Sequence, residues 1–185
     1  MGVNMLKIYD SEHNFLKMIT SQCKDLYVTE TLSTGFKTLC FKVPCLDEYI
    51  ECMLEENYVE TENYNYVIKE INMKDNNFIT IYCNPDIENL TGIIFTVFDC
   101  FEKGIEDAYK YCLSIVDDWE IEYHSEDRSI LTYQLSNTTP YEMITKIAED
   151  YGQEVWYDTK EKKVHIYDKM GKSLGAYYSN ELKLK

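Results

Sequence analysis

Side chains able to do chemistry are present in this 185-residue sequence, but few are spaced to do it together. Asp117, Asp118 and Glu120 surround a tryptophan, and more carboxylates flank His124. A carboxylate pair such as Asp118 and Glu120 is the arrangement general acid/base hydrolysis needs, provided a pocket holds both groups against a substrate. Nothing in the neighbouring sequence supplies that pocket, and solvated turn residues are the plainer reading. The stretch Asp10 to Asn14, DSEHN, alternates oxygen ligands like the start of a calcium loop. Its sixth position is Phe15, where glycine is needed, and its twelfth is Ser21, where a bidentate glutamate belongs, so we reject it. A nucleophile elbow, a phosphate loop, a dinucleotide glycine fingerprint and a paired-histidine metalloprotease helix would each show as a short motif, and none is present.

Seven cysteines, at 23, 40, 45, 52, 83, 100 and 112, form an odd set without repeated short spacing. They read as small apolar core residues in a reducing compartment rather than as a disulfide framework. Zinc fingers and ribbons need closely spaced thiolate pairs, and Cys40 with Cys45 spans a strand-like stretch containing Pro44. His13, His124 and His165 lie far apart and read as surface or strand residues. No catalytic residue, cofactor-binding residue or metal ligand is assigned, and no cofactor is expected.

The elements that would carry these residues fall into two regions: 1–88, β-rich, and 89–185, α+β. Leu6 and Ile8, Phe15 to Ile19, and Leu26 to Thr29 are β-prone. Thr34-Gly35 supplies a turn before Phe36, Leu39, Phe41 and Val43, making a hairpin that ends at Pro44. Tyr64 to Met73 and Phe78 to Cys83 form a second pair, joined by Lys74 to Asn77. Five or six short strands predict a barrel-like or sandwich domain, since stacking or closure buries one face of each strand. Leu46, Tyr49, Ile50, Met53 and Leu54 have helical spacing and predict an amphipathic helix between the hairpins. Its other face is acidic: from Cys45 to Glu62 there are seven carboxylates, Asp47, Glu48, Glu51, Glu55, Glu56, Glu60 and Glu62, with no Lys or Arg.

Two helix-plus-hairpin units are expected in the second region. The first has a helix with Ile105, Ala108, Cys112, Ile115 and Val116 on one face, then WEIEY, the polar turn HSEDR and SILTYQL. The second has Ile144, Ile147, Ala148 and Tyr151, then EVWYD, TKEKK and VHIY. Thr139 with Glu142 makes a capping box, Pro140 suits the first helical position and Gly152 supplies a left-handed stop. Eighteen basic and thirty-three acidic residues give a net charge of −15, which argues against stable nucleic-acid binding. No apolar run is long enough to span a membrane, and the opening residues lack the pattern of a secretory signal. Seventeen tyrosines and two tryptophans are as useful to core strands as to a protein interface or a sugar platform.

From Ser136 to Gly171, SNTTPYEMITKIAEDYGQEVWYDTKEKKVHIYDKMG, and again over GAYYSNELK, the sequence resembles the N-terminal region of phage minor structural proteins. This is the prophage tail-endopeptidase or tail-associated lysin family, similar in architecture to the phage baseplate hub. The resembling features are Asn137 to Thr139, Gly152, Tyr157-Asp158-Thr159, Lys162-Lys163, Val164, Ile166, Gly171, Gly175 and Tyr178 to Lys183. GFKTLCFKVP and NYNYVIKEINMKDNNFITIYC resemble the family's barrel strands less specifically. The resemblance implies a structural protein of the virion tail tip, assembled in the host cytoplasm. It implies a hub segment closing the tail tube, a homotrimer in the full-length protein, and a distal tail protein and tail tube as partners. It also implies transient DNA passage along an acidic lumen and a part in host attachment. The chain ends where the family's second barrel would begin, so it reads as the front half of a hub, and no peptidase residues are implied. A glycan-binding adhesion module and part of a cell-wall hydrolase are the alternatives.

Overall fold

The structure, a computed structural model, describes residues 5–31, 34–73 and 77–168. Seven strands of the front region form one antiparallel sheet: β1 (Leu6–Tyr9), β2 (Phe15–Ile19), β3 (Lys24–Thr31), β4 (Phe36–Pro44), β5 (Tyr58–Glu60), β6 (Asn65–Asn72) and β7 (Phe78–Pro85). Their order is β2-β1-β5-β6-β7-β4-β3. The sheet is therefore open, with β2 and β3 at its ends, and it curls into a half-barrel. Curling lets a single sheet cover its own apolar face, so neither a second packed sheet nor full closure is required. Alternate residues supply that face: Leu6 and Ile8, then Leu39, Phe41 and Val43, then Ile79, Ile81 and Cys83, all essentially buried.

The amphipathic helix between the hairpins is a single turn, α1 (Asp47–Ile50). It has no side-chain cap, and the chain leaves it through a turn at 51–52 to form β5, a strand the sequence pattern had not shown. Tyr49 and Met53 still reach the core, whereas Leu46 and Leu54 are 52% and 53% exposed. Helical spacing thus persisted where only one helical turn exists, because a turn followed by a bend can also place two apolar residues inward.

The rest of the chain adds α2 (Glu88–Gly92), β8 (Phe95–Gly104), α3 (Ile105–Cys112), β9 (Glu120–Tyr123), β10 (Ile130–Thr138), α4 (Pro140–Tyr151), β11 (Glu154–Asp158) and β12 (Lys163–Tyr167). The fold is mostly β, and the helical part is smaller than an α+β reading implies. By contacts the chain divides into two compact units. Of the described residues, one comprises 5–31, 36–73, 77–88 and 158–161, the other 34–35, 89–157 and 162–168.

The second helix-plus-hairpin unit forms as expected, with β11 beside β12. Thr139 Oγ1 accepts the Glu142 N–H at 3.2 Å, Glu142 Oε2 accepts the Thr139 N–H at 2.8 Å, and Gly152 closes α4 at φ 65°. The first unit does not form. β10 pairs antiparallel with β8, and β9 pairs parallel with β12. The HSEDR tract, expected to be a polar turn, is an open loop braced by its own side chains. Ser125 Oγ accepts the Asp127 N–H at 3.0 Å, Asp127 Oδ1 accepts the Ser129 N–H at 2.8 Å, and Arg128 donates to the Ser125 carbonyl at 3.1 Å. Such a loop lets the flanking strands diverge to separate partners. Gly171, Gly175, the Tyr178 to Lys183 stretch and most of the Lys74 to Asn77 turn lie outside the described residues.

Candidate functional site

Asp117, Asp118 and Glu120 are all exposed, and Asp118 sits at φ 68° in the turn entering β9. Trp119 between them turns inward, its ring edge-on to Tyr157 at 6.3 Å. Asp10 is engaged by its own hairpin: its Oδ1 accepts the backbone N–H groups of Glu12 at 2.9 Å and Asn14 at 2.8 Å. That makes the DSEHN stretch an Asx turn between β1 and β2. All seven cysteines are free thiols, five of them buried, and burial pushes the Cys83 and Cys112 thiols well up. Tyr66, Tyr109 and Tyr157 are among the largest fully buried side chains, so part of the tyrosine content is core.

Strand alternation builds a different constellation on the three-stranded sheet. Ile121, Val164 and Ile166 point to the side where α3 contributes Tyr109, whose ring lies 6.0 Å from that of Tyr123. The register pairs His165 with Glu122, so Glu122, His124 and His165 share the opposite face. His124 Nε2 lies 3.0 Å from His165 Nδ1, and Glu122 Oε2 lies 3.3 Å from His165 Nδ1 and 3.7 Å from His124 Nε2. The other Glu122 oxygen accepts from Lys163 at 2.5 Å. That bond and the Lys163 charge hold the Glu122 carboxyl below its ordinary range despite partial desolvation, with the two histidines adding to the effect.

Aromatic rings flank the two imidazoles. Trp156 lies against His165 at 4.7 Å and Tyr167 against His124 at 4.5 Å, while the imidazoles themselves are parallel to within 6° and meet edge to edge, nitrogen to nitrogen. His165 is mostly buried and His124 exposed, so the cluster opens to solvent on one side. Behind the neighbouring loop runs a polar chain in which Tyr109 donates to Gln153 at 2.7 Å and Gln153 donates to Tyr123 at 3.1 Å and to Ser125 at 3.0 Å. Ser125 then donates to Asp168. Along the sequence the three histidines stand far apart, at 13, 124 and 165. The Glu-x-His spacing at 122 and 124 was the available signal, since residues two apart share a strand face, but His165 enters only through the parallel pairing of β9 with β12.

Two further surfaces stand out. Edge strand β2 exposes Phe15, Leu16 and Met18, and edge strand β3 exposes Tyr27 and Val28. In the other unit, the β8·β10 ladder exposes Val97, Phe101 and Ile130, the last two at 68% and 71%. Apolar side chains along open edges are the pattern of strands that meet another chain. The acidic run is partly answered by lysines distant in sequence: Lys17 meets Glu48 at 2.7 Å, Lys69 meets Glu56 at 2.8 Å, and Lys7 meets Glu60 at 3.0 Å. Asp47, Glu51, Glu55 and Glu62 remain exposed.

This fold is that of prophage tail proteins. It is similar to a prophage tail protein, gp18, of Listeria monocytogenes EGD-e, with a TM-score of 0.65 and 14% identity over 88% of this chain and 50% of that one. A tail protein of Neisseria meningitidis MC58 gives a TM-score of 0.61 and 12% identity over 89% of this chain and 50% of that one. A chain of the Francisella PdpA-VgrG complex gives 0.51 and 10%, over 98% and 34%. Residues 6–84 match the family described as the prophage endopeptidase tail N-terminal domain. The resemblance to prophage tail proteins read from the sequence therefore stands, and the family match falls on the front half, where the sequence signal had been the less specific one. The chain spans about half the length of the two tail proteins. No curated protein matches it.

Proposed function

We propose that this protein is a non-enzymatic structural component of a phage or prophage tail tip, a baseplate-hub segment. In this reading residues 1–88 and 89–185 act as two domains, and the full-length protein assembles as a homotrimer against a distal tail protein and the tail tube. It closes the tube, lines part of the DNA ejection path and contributes to host attachment, after assembly in the host cytoplasm. The observation that carries the reading is the shared fold over 88% of the chain with a prophage tail protein, together with the family match over residues 6–84. The exposed apolar side chains of β2 and β3 support assembly, because an open seven-stranded half-barrel presents a strand edge at each end for a neighbour to extend. Asp47, Glu51, Glu55 and Glu62, with the net charge of −15, suit a path along which a polyanion moves without adhering.

Immunogold labelling of induced particles with antibody raised against this chain tests the placement. Label at the tail tip is expected, and label on the capsid, or on none of the particles, would overturn it. Light scattering of this chain and of a version extended beyond Lys185 tests the trimer, which is expected in the longer chain. A monomeric longer chain removes that part of the proposal.

A further inference from the structure

We infer that Glu122, His124 and His165 form a binding site for one divalent transition-metal ion of borderline softness, with Zn²⁺ the natural occupant. Carboxylate oxygen and neutral imidazole nitrogen are the donor set such ions take. In a tetrahedral site with bonds of about 2.0–2.1 Å, neighbouring donor atoms stand about 3.3–3.4 Å apart. The three separations here are 3.0, 3.3 and 3.7 Å, so one ion can reach all three donors once the imidazoles, which face each other nitrogen to nitrogen, tilt from each other toward the ion. Those donor atoms are the only such group of His, Cys, Asp and Glu among the described residues to lie within 4.8 Å of one another.

Three features show a site held in advance rather than a chance meeting of surface groups. The parallel register sets His165 opposite Glu122, and His124 follows two residues on along the same face. Lys163 engages the far carboxylate oxygen and so turns Oε2 toward the imidazoles. Trp156 and Tyr167 flank the two rings, which are parallel to within 6°. An aromatic ring against each imidazole limits the freedom it has left to lose when a metal binds. Because the ligands come from β12 and from β9 with its C-terminal extension, an ion would pin together two strands whose histidines are 41 positions apart in sequence. The exposed side of His124 leaves the fourth position to water or to a donor from another molecule.

The test is a titration of the full chain, kept reduced, with Zn²⁺ against a chromophoric chelator, and with Co²⁺ followed by visible absorption. One equivalent is expected, with a Co²⁺ spectrum lacking the near-ultraviolet thiolate band that cysteine ligation would produce. His124→Ala and Glu122→Gln, both at accessible positions, are expected to lower affinity on the order of 100-fold, since loss of outer-shell partners alone costs 10–100-fold. Zn²⁺ should raise the thermal midpoint of the wild-type chain and not of His124→Ala. Well under one equivalent bound, equal affinity in wild type and both variants, or a thiolate band would each overturn the site. Their outcome leaves the tail-tip reading untouched, which stands on fold and family.

Discussion

Gly35 turns the chain between β3 and β4 at φ +65°, a region where an L side chain costs about 1–2 kcal/mol. A Cβ added there would also stand 2.5 Å from the Val155 carbonyl oxygen and 3.0 Å from the Tyr157 ring, both on β11. The carbonyl belongs to the backbone and cannot rotate away, so the strand or the turn must shift, at roughly the 1–3 kcal/mol of an overpacked site. Gly35→Ala should therefore destabilise by about 2–5 kcal/mol. Gly152 supplies the control: it has the same φ of +65° with nothing within 4 Å of its added Cβ, so Gly152→Ala should cost only the conformational part. Urea unfolding followed by the fluorescence of Trp119 and Trp156 reports on the unit that holds both glycines. With a slope of roughly 2 kcal/mol per molar urea, the midpoint should fall by about 1–2.5 M for Gly35→Ala and by about 0.5–1 M for Gly152→Ala. Equal shifts in the two variants would refute the close-approach argument.

Three further outcomes follow from the same structure. Thr139→Ala removes one half of the capping box on α4 and should cost about 1 kcal/mol, with Thr139→Ser restoring most of it in thermal melts. Phe41, fully buried at the centre of the half-barrel core, should cost about 3–5 kcal/mol on truncation to alanine, measurable as a lowered urea midpoint by circular dichroism. Burial raises the Glu60 carboxyl, but hydrogen bonds from Lys7 and Tyr9 and the charge of Lys160 more than offset it, leaving the group below its ordinary value of 4.5. Its contribution is thus present above about pH 4.5 and is lost as pH falls through the depressed folded value. The stability gap between wild type and Glu60→Gln should shrink between pH 7 and pH 3, and a constant gap would contradict this assignment.

Local chemistry was legible wherever a few neighbouring residues decide the backbone. The Thr139, Pro140, Glu142 and Gly152 signals define α4, and the Thr34-Gly35 turn joins β3 to β4 where the sequence indicated. The edge-strand apolar residues were visible as strand formers, though not as exposed ones, because exposure depends on which strands end the sheet. Apolar spacing predicts a longer helix than the single turn of α1, because it records which residues face inward, not how long the backbone stays helical. The hairpin expected from WEIEY and SILTYQL failed because a strand carries no local mark of its partner, and β8 offers β10 a ladder from Phe95 to Gly104.

By itself the sequence determined the strand-rich front half, the capped helix, the acidic charge and the absence of short catalytic motifs, all of which depend on residues close together along the chain. Tertiary structure alone decided that Lys7, Lys17 and Lys69 answer part of the acidic run, and that Glu122, His124 and His165 meet at one point. Those meetings require strands distant in sequence to choose one another as neighbours. That choice is settled by burying the whole apolar face of each sheet at once, a quantity no local window contains.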